Sequence, residues 1–218
     1  MPTEQLSLNL PVRAAMGAAD FVVSESNRDA VAWLDRWPDW PNGILAIHGP
    51  AGGGKSHLAH VWQARSEAAF LAGARLEKLP DSGNLILDDN RLGEEDLFHL
   101  INHVRAHHQS LLILDREAPA RWSARLPDLA SRLAAVPAIA VQPPDDALLA
   151  AILTKHFSDR QILVAPEVVA YLVRRIERAF SAAEKVATDL DRLALSRRSA
   201  ITVKLARDLL GDEDSPVL

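Results

Sequence analysis

Residues 49–56 read Gly-Pro-Ala-Gly-Gly-Gly-Lys-Ser, and no other stretch limits the possible folds of this chain so sharply. The spacing G-x-x-x-x-G-K-[ST] is that of a phosphate-binding loop, which works only between a buried strand and a helix. Both flanks suit it. Residues 43–48 form a short apolar run opened by glycine, the pattern of a parallel strand buried on both faces. Leu58, Ala59, Val61, Trp62 and Ala64 give the following segment an apolar helical face. Pro50, Gly52, Gly53 and Gly54 let backbone N–H groups and the helix N-terminus converge on an anion. Lys55 is expected on the β- and γ-phosphates, and the Ser56 hydroxyl on Mg²⁺. The cofactor implied is ADP or ATP with Mg²⁺.

Residues 84–89, Asn-Leu-Ile-Leu-Asp-Asp, form a second buried strand that ends in two carboxylates. Downstream of a phosphate loop this is the second nucleotide motif. Asp88 is expected to support the metal, and Asp89 to orient an attacking water. Residues 110–115 form a further strand ending in Asp115. That carboxylate either senses the γ-phosphate or its water, or caps the turn that follows.

Between these strands, residues 94–105 have a helical stripe of Leu97, Leu100, Ile101 and Val104, with acidic residues in the first turn. His99, His103 and His107 recur every four residues on the other face. With no carboxylate in register they read as a solvated face rather than as metal ligands. The tryptophans of residues 37–41 read as a plug at the domain edge. Residues 126–135 are helical and 138–141 a last strand.

Pro143 and Pro144 break the alternation, and four helices are expected beyond them, at 146–157, 166–178, 181–195 and 202–210. Ser181 and Glu184 have the S-x-x-E spacing of a capping box. The expected organisation is a flexible segment at 1–20, a doubly wound α/β domain at 21–144, a helical lid at 145–210 and an acidic tail at 211–218.

Composition narrows the class. Hydrophobic residues make up 48% of the 218, and no apolar run approaches a membrane span. No basic region followed by an apolar stretch opens the chain, so a soluble cytoplasmic protein is expected. The absence of cysteine excludes disulfides and thiolate metal sites. A net charge of −5 disfavours a free-standing duplex-DNA binder and leaves DNA contact weak or indirect.

Taken in order, these motifs resemble the AAA+ ATPases, and specifically the nucleotide-binding domain of the replication initiator DnaA. Phe21, Val22 and Asn27 are similar to that family's adenine-contacting segment, and residues 49–56 followed by His57 to its phosphate loop. Leu87, Asp88 and Asp89 match its second motif, and Asp115-Arg116 the region of its first sensor. Ser131-Arg132 resembles its arginine-finger segment. The likeness runs from about residue 20 to residue 210, and the chain stops where DnaA continues into a helix-turn-helix domain.

That architecture resembles the short DnaA relatives of the Hda type, which promote hydrolysis of DnaA-bound ATP. Those relatives carry an N-terminal hexapeptide that docks on the replication sliding clamp, and Gln5, Leu6, Ser7, Leu8, Asn9 and Leu10 resemble it. An extended peptide of this kind places alternate leucines in apolar pockets, each buried leucine contributing about 1.5–3 kcal/mol before ordering costs. The resemblance implies DnaA and the clamp as partners, Arg132 acting in trans, weak ATPase activity at most and possible homo-oligomers.

Two positions depart from the pattern. Glu184 stands where the lid of DnaA supplies a phosphate-sensing arginine, with Lys185 and Arg178 as possible substitutes. Asp128 replaces an arginine one helical turn before the finger. The alternative class is a self-contained AAA+ ATPase that loads or remodels a helicase or clamp.

Overall fold

The computed structural model describes residues 23–71, 79–88 and 92–211. The chain divides into two compact units, with the boundary between Gln142 and Pro143. The first is built on five parallel strands: β1 (Ile44–His48), β2 (Ala69–Phe70), β3 (Leu85–Asp88), β4 (Leu111–Asp115) and β5 (Ala138–Ala140). Their spatial order is β2-β3-β4-β1-β5. Four helices accompany them: α1 (Arg28–Asp35), α2 (Lys55–Ser66), α3 (Glu94–Ala106) and α4 (Pro127–Ala134).

The apolar runs are continuous because the sheet is covered on both faces, and successive side chains alternate between them. Leu45, Ile47, Ile86, Leu112 and Leu114 pack with α1 and α2. Ile44, Ala46, Leu85, Leu87, Leu111 and Ile113 pack with α3 and α4. The expected stripe of α3, Leu97, Leu100, Ile101 and Val104, is buried against the second of these faces. Trp40 and Trp62 pack with centroids 4.9 Å apart and rings tilted by 33°, and Trp37 meets Trp62 edge-on at 6.1 Å. Trp37 also donates to Ser110 Oγ and Trp40 to the Trp33 carbonyl, so residues 37–40 close an edge of the core, as expected.

One polar side chain ties several elements together. Asn84 donates through Nδ2 to the Ser66 carbonyl at 2.9 Å and accepts from the Ser110 N–H at 3.0 Å. It therefore joins the end of α2 and the starts of β3 and β4 at one point.

The second unit holds α5 (Asp146–Asp159), α6 (Pro166–Val173), α7 (Phe180–Arg197) and α8 (Val203–Leu210). Asp145 caps α5 by accepting from the Leu148 N–H at 2.7 Å, and Thr202 caps α8 through the Leu205 N–H at 3.3 Å. Two local expectations fail here. Helix α6 stops at Val173 and not at 178, and residues 174–178 form turns and bends. The capping box does not form either: α7 begins at Phe180 with Ala179 at the N-cap and no side-chain cap. Ala179 is buried in line with Ala183, Val186, Ala187 and Leu190, so packing of this stripe draws the helix start ahead of Ser181. No described helix is long and apolar enough to cross a membrane.

Asn84→Ala removes two part-buried hydrogen bonds and leaves the Ser66 carbonyl and Ser110 N–H without that partner. The expected cost is about 1–3 kcal/mol, read as a lower urea midpoint for the α/β unit by tryptophan fluorescence. An unchanged midpoint would remove Asn84 from the account of how the sheet is held.

Candidate functional site

The glycine loop leaves β1 at a fixed point. The Gly49 N–H donates to the Asp115 carbonyl at 3.1 Å, and the His48 carbonyl accepts from the Val141 N–H at 2.7 Å. A Cβ at position 49 would run into the carbonyl oxygen of Val141, so only glycine fits this crossing. The loop closes on itself through the Gly53 N–H, which donates to the Pro50 carbonyl at 3.3 Å. Gly54 sits at the N-cap of α2 with φ +89, a left-handed conformation that turns the chain sharply into the helix.

Within that frame the polar side chains converge. Lys55 Nζ donates to the carbonyls of Gly49 at 2.9 Å and Pro50 at 2.8 Å, so its ammonium lies against the loop it belongs to. Ser56 Oγ donates to Asp88 Oδ2 at 3.0 Å. Asp88 continues the alternation of β3 onto the face of Ile86, the face that α2 covers, which is why it meets the start of that helix.

These residues fit a nucleotide diphosphate moiety with a hydrated Mg²⁺. The loop offers backbone donors at a helix N-terminus, an ammonium beside them, and a paired hydroxyl and carboxylate of the hard-oxygen kind such a metal takes.

Other expected positions fall as follows. Pro50 is exposed on the loop and His57 is exposed in the first turn of α2. Asn27 is buried at the start of α1, where its Oδ1 accepts from the Ser24 N–H at 2.9 Å. The Gln142 N–H donates to the Ser26 carbonyl at 3.1 Å and ties that turn to the segment after β5. Asp115 accepts from the N–H groups of Arg116 and Glu117, the turn-capping arrangement. Its strand alternation puts it with Leu111 and Ile113, on the face opposite Asp88. Phe21, Val22, Asp89 and residues 5–10 lie outside the described residues.

Arg132 is half-buried near the C-terminal end of α4, its guanidinium 5.1 Å from the centre of the Phe98 ring on α3. Glu94 fixes the approach to α4 by accepting from the Arg125 N–H at 3.0 and 3.1 Å and the Leu126 N–H at 3.3 Å. In the helical unit, Arg178 pairs with Asp146 at 2.8 Å, while Glu184 and Lys185 are exposed on α7.

Sequence reasoning missed His48 and Arg121. His48 ends β1 beside the loop, and Arg121 closes the short 3₁₀ turn Pro119–Arg121 after β4. Burial, then the Arg121 guanidinium and the Lys55 ammonium, hold the His48 imidazole below the usual value of 6.5. The only signal in the sequence was position: His48 ends one strand and Arg121 follows another, at the edge where the loop lies.

The strand order and the loop define a P-loop α/β fold of the AAA+ kind. No family model matches the chain. Among solved structures the fold is similar to domain III of DnaA from Thermotoga maritima, with a TM-score of 0.74 at 19% identity over 90% of this chain and 96% of that one. It is also similar to AMPPCP-bound DnaA from Aquifex aeolicus, with a TM-score of 0.64 at 18% identity over 82% of this chain and 67% of that one. A variant of RuvB from Thermotoga maritima gives a TM-score of 0.61 at 17% identity, over 77% of this chain and 60% of that one. At such identities the likeness is one of fold.

His48 supplies a pH test. Its folded-state pKa lies below 6.5, so the unfolded chain binds the proton more readily. Its stability contribution is complete above 6.5 and is lost as pH falls from there through the folded value. His156, lowered by burial and by Arg160 against the opposing Glu184 and Asp159, has the same sign. Thermal melts between about pH 7.5 and 5 should fall towards acid, with a shallower fall in His48→Gln. A variant slope as steep as wild type would contradict the assignment.

Proposed function

We propose that this chain binds ADP or ATP with Mg²⁺ and acts as a regulator of replication initiation rather than as a stand-alone catalyst. The observation that carries nucleotide binding is the Ser56–Asp88 hydrogen bond beside the Lys55 ammonium. Lys55 and the loop N–H groups hold the phosphates, while Ser56 and Asp88 hold the Mg²⁺ shell, with Asp89 next in sequence to orient water. The bound nucleotide supplies a conformational cofactor and, as ATP, a hydrolysable phosphoanhydride. Phe21, Val22 and Asn27 take the adenine side, and Asp115 lies beside the loop through its backbone.

In this reading residues 5–10 dock on the sliding clamp and Arg132 faces the ATP held by a partner of the DnaA type. Its support is the similarity of fold to DnaA together with the position of Arg132, half-exposed and steadied on Phe98. An arginine supplied in trans stabilises charge spread over the transferring phosphoryl oxygens and raises hydrolysis by about 10³–10⁵. The reaction is ATP hydrolysis in the partner's site, leaving ADP-bound initiator. In this reading the protein works in the cytoplasm at the replisome, and DNA contact is indirect.

Lys55→Ala should abolish ADP and ATP binding by calorimetry, because the loop loses its ammonium. Nucleotide affinity equal to wild type would overturn the site.

Arg132→Ala should fold, bind nucleotide and bind the clamp as wild type does, yet fail to accelerate ATP hydrolysis by DnaA on clamp-loaded DNA. Arg132→Lys should fail largely as well, since an ammonium lacks the planar fork of a guanidinium. Stimulation by Arg132→Ala equal to wild type would refute the trans mechanism. Rapid turnover by the chain alone would favour the self-contained ATPase.

A further inference from the structure

Asp81, His103 and His107 meet at the edge of the sheet opposite the phosphate loop, where α3 ends and the chain prepares to enter β3. One donor atom from each of the three side chains lies within 4.8 Å of the other two. The histidines stack with ring centroids 4.1 Å apart, as the i, i+4 spacing on a helix permits. The missing carboxylate of the helical repeat therefore comes from a loop, where no periodicity reveals it. This corrects the expectation of a face without one.

The hydrogen bonds around the cluster select which atoms face a ligand. His107 Nδ1 is 2.9 Å from the His103 carbonyl oxygen. A carbonyl can only accept, so in the neutral ring Nδ1 carries the hydrogen and the lone pair is left on Nε2. That nitrogen lies 3.9 Å from Asp81 Oδ1, beyond hydrogen-bond range. Two ligand atoms each bound about 2.0–2.2 Å from one zinc ion at a tetrahedral angle stand some 3.3–3.6 Å apart. Only a small movement of the exposed Asp81 is needed to close that span. The His103 ring is held through Nε2, 2.9 Å from the Pro80 carbonyl oxygen, against the same loop that carries Asp81. Gln109 donates to that oxygen as well, at 2.8 Å. Backbone carbonyls that fix ring orientation are the outer partners metal-binding histidines use.

We propose that Asp81, His103 and His107 form a binding site for a borderline divalent cation of the zinc, nickel or copper kind. Two imidazoles and one carboxylate suit such an ion and leave its remaining positions to water; Mg²⁺ and Ca²⁺ prefer oxygen donors throughout. The bound ion clips the end of α3 to the loop before β3. It lies a full strand length from Asp88, so it is independent of the nucleotide and outside the function proposed above.

The test is calorimetric titration of untagged full-length protein with ZnCl2, in excess MgCl2 and ADP so that Ser56 and Asp88 are already engaged. One equivalent of zinc should bind wild type and Lys55→Ala alike, which separates this site from the nucleotide reading. His107→Gln and Asp81→Asn should each bind at least about tenfold more weakly. His99→Ala, one turn earlier on the same helix, should bind as wild type does. Zinc should also raise the melting temperature of wild type and leave that of His107→Gln unmoved. The substituted side chains are on the surface, so circular dichroism of the metal-free variants should match wild type. No zinc binding by wild type, or binding by His107→Gln as tight as wild type, would overturn the proposal.

Discussion

Everything at the phosphate edge depends on strand register. Ser56 and Asp88 bond although their strands are not neighbours, because β4 lies between β1 and β3. Asp88 is level with Leu114, which is level with Ile47, one residue before the end of β1. A one-residue slip in either pairing would turn the Asp88 carboxylate to the α3 and α4 face and strand it away from α2. What prevents a slip is the burial of both faces. Leu112 and Leu114 cannot trade places with Leu111 and Ile113 without exchanging the helices they pack against. The chemistry at the edge is thus specified by apolar side chains in the middle of the sheet.

Residues on β4 explain why two similar carboxylates behave differently. Asp88 and Asp115 both end apolar runs, though in sequence only Asp88 falls in the second nucleotide motif. Alternation places Asp88 with Ile86 under α2, and Asp115 with Ile113 on the other face, where it holds its own turn. Its contribution to the loop is made by the backbone, through the Gly49 N–H.

Strands β1, β3, β4 and β5, the loop and α3 were legible in the sequence because each carries its own apolar pattern or a fixed spacing. The end of α6 and the start of α7 were not, because burial of a stripe that includes Ala179 outweighed the local capping signal of Ser181 and Glu184. His48, Arg121 and Asp81 escaped for another reason. Their significance lies in proximity to residues far along the chain, His48 to Arg121 in one case and Asp81 to His107 in another. The same limit applies to Arg132, whose ring partner Phe98 sits on a helix that no local pattern links to it.

The Lys55 ammonium has a consequence of its own. With two loop carbonyls as partners, it is already solvated by the protein. In the proposed function, an arriving phosphate would trade partners with these carbonyls rather than meet a bare charge. The heat of such an exchange is smaller than a tally of final contacts suggests. Much of the driving force falls to the release of ordered water and ions from the phosphates, a gain in disorder that weakens as salt is added.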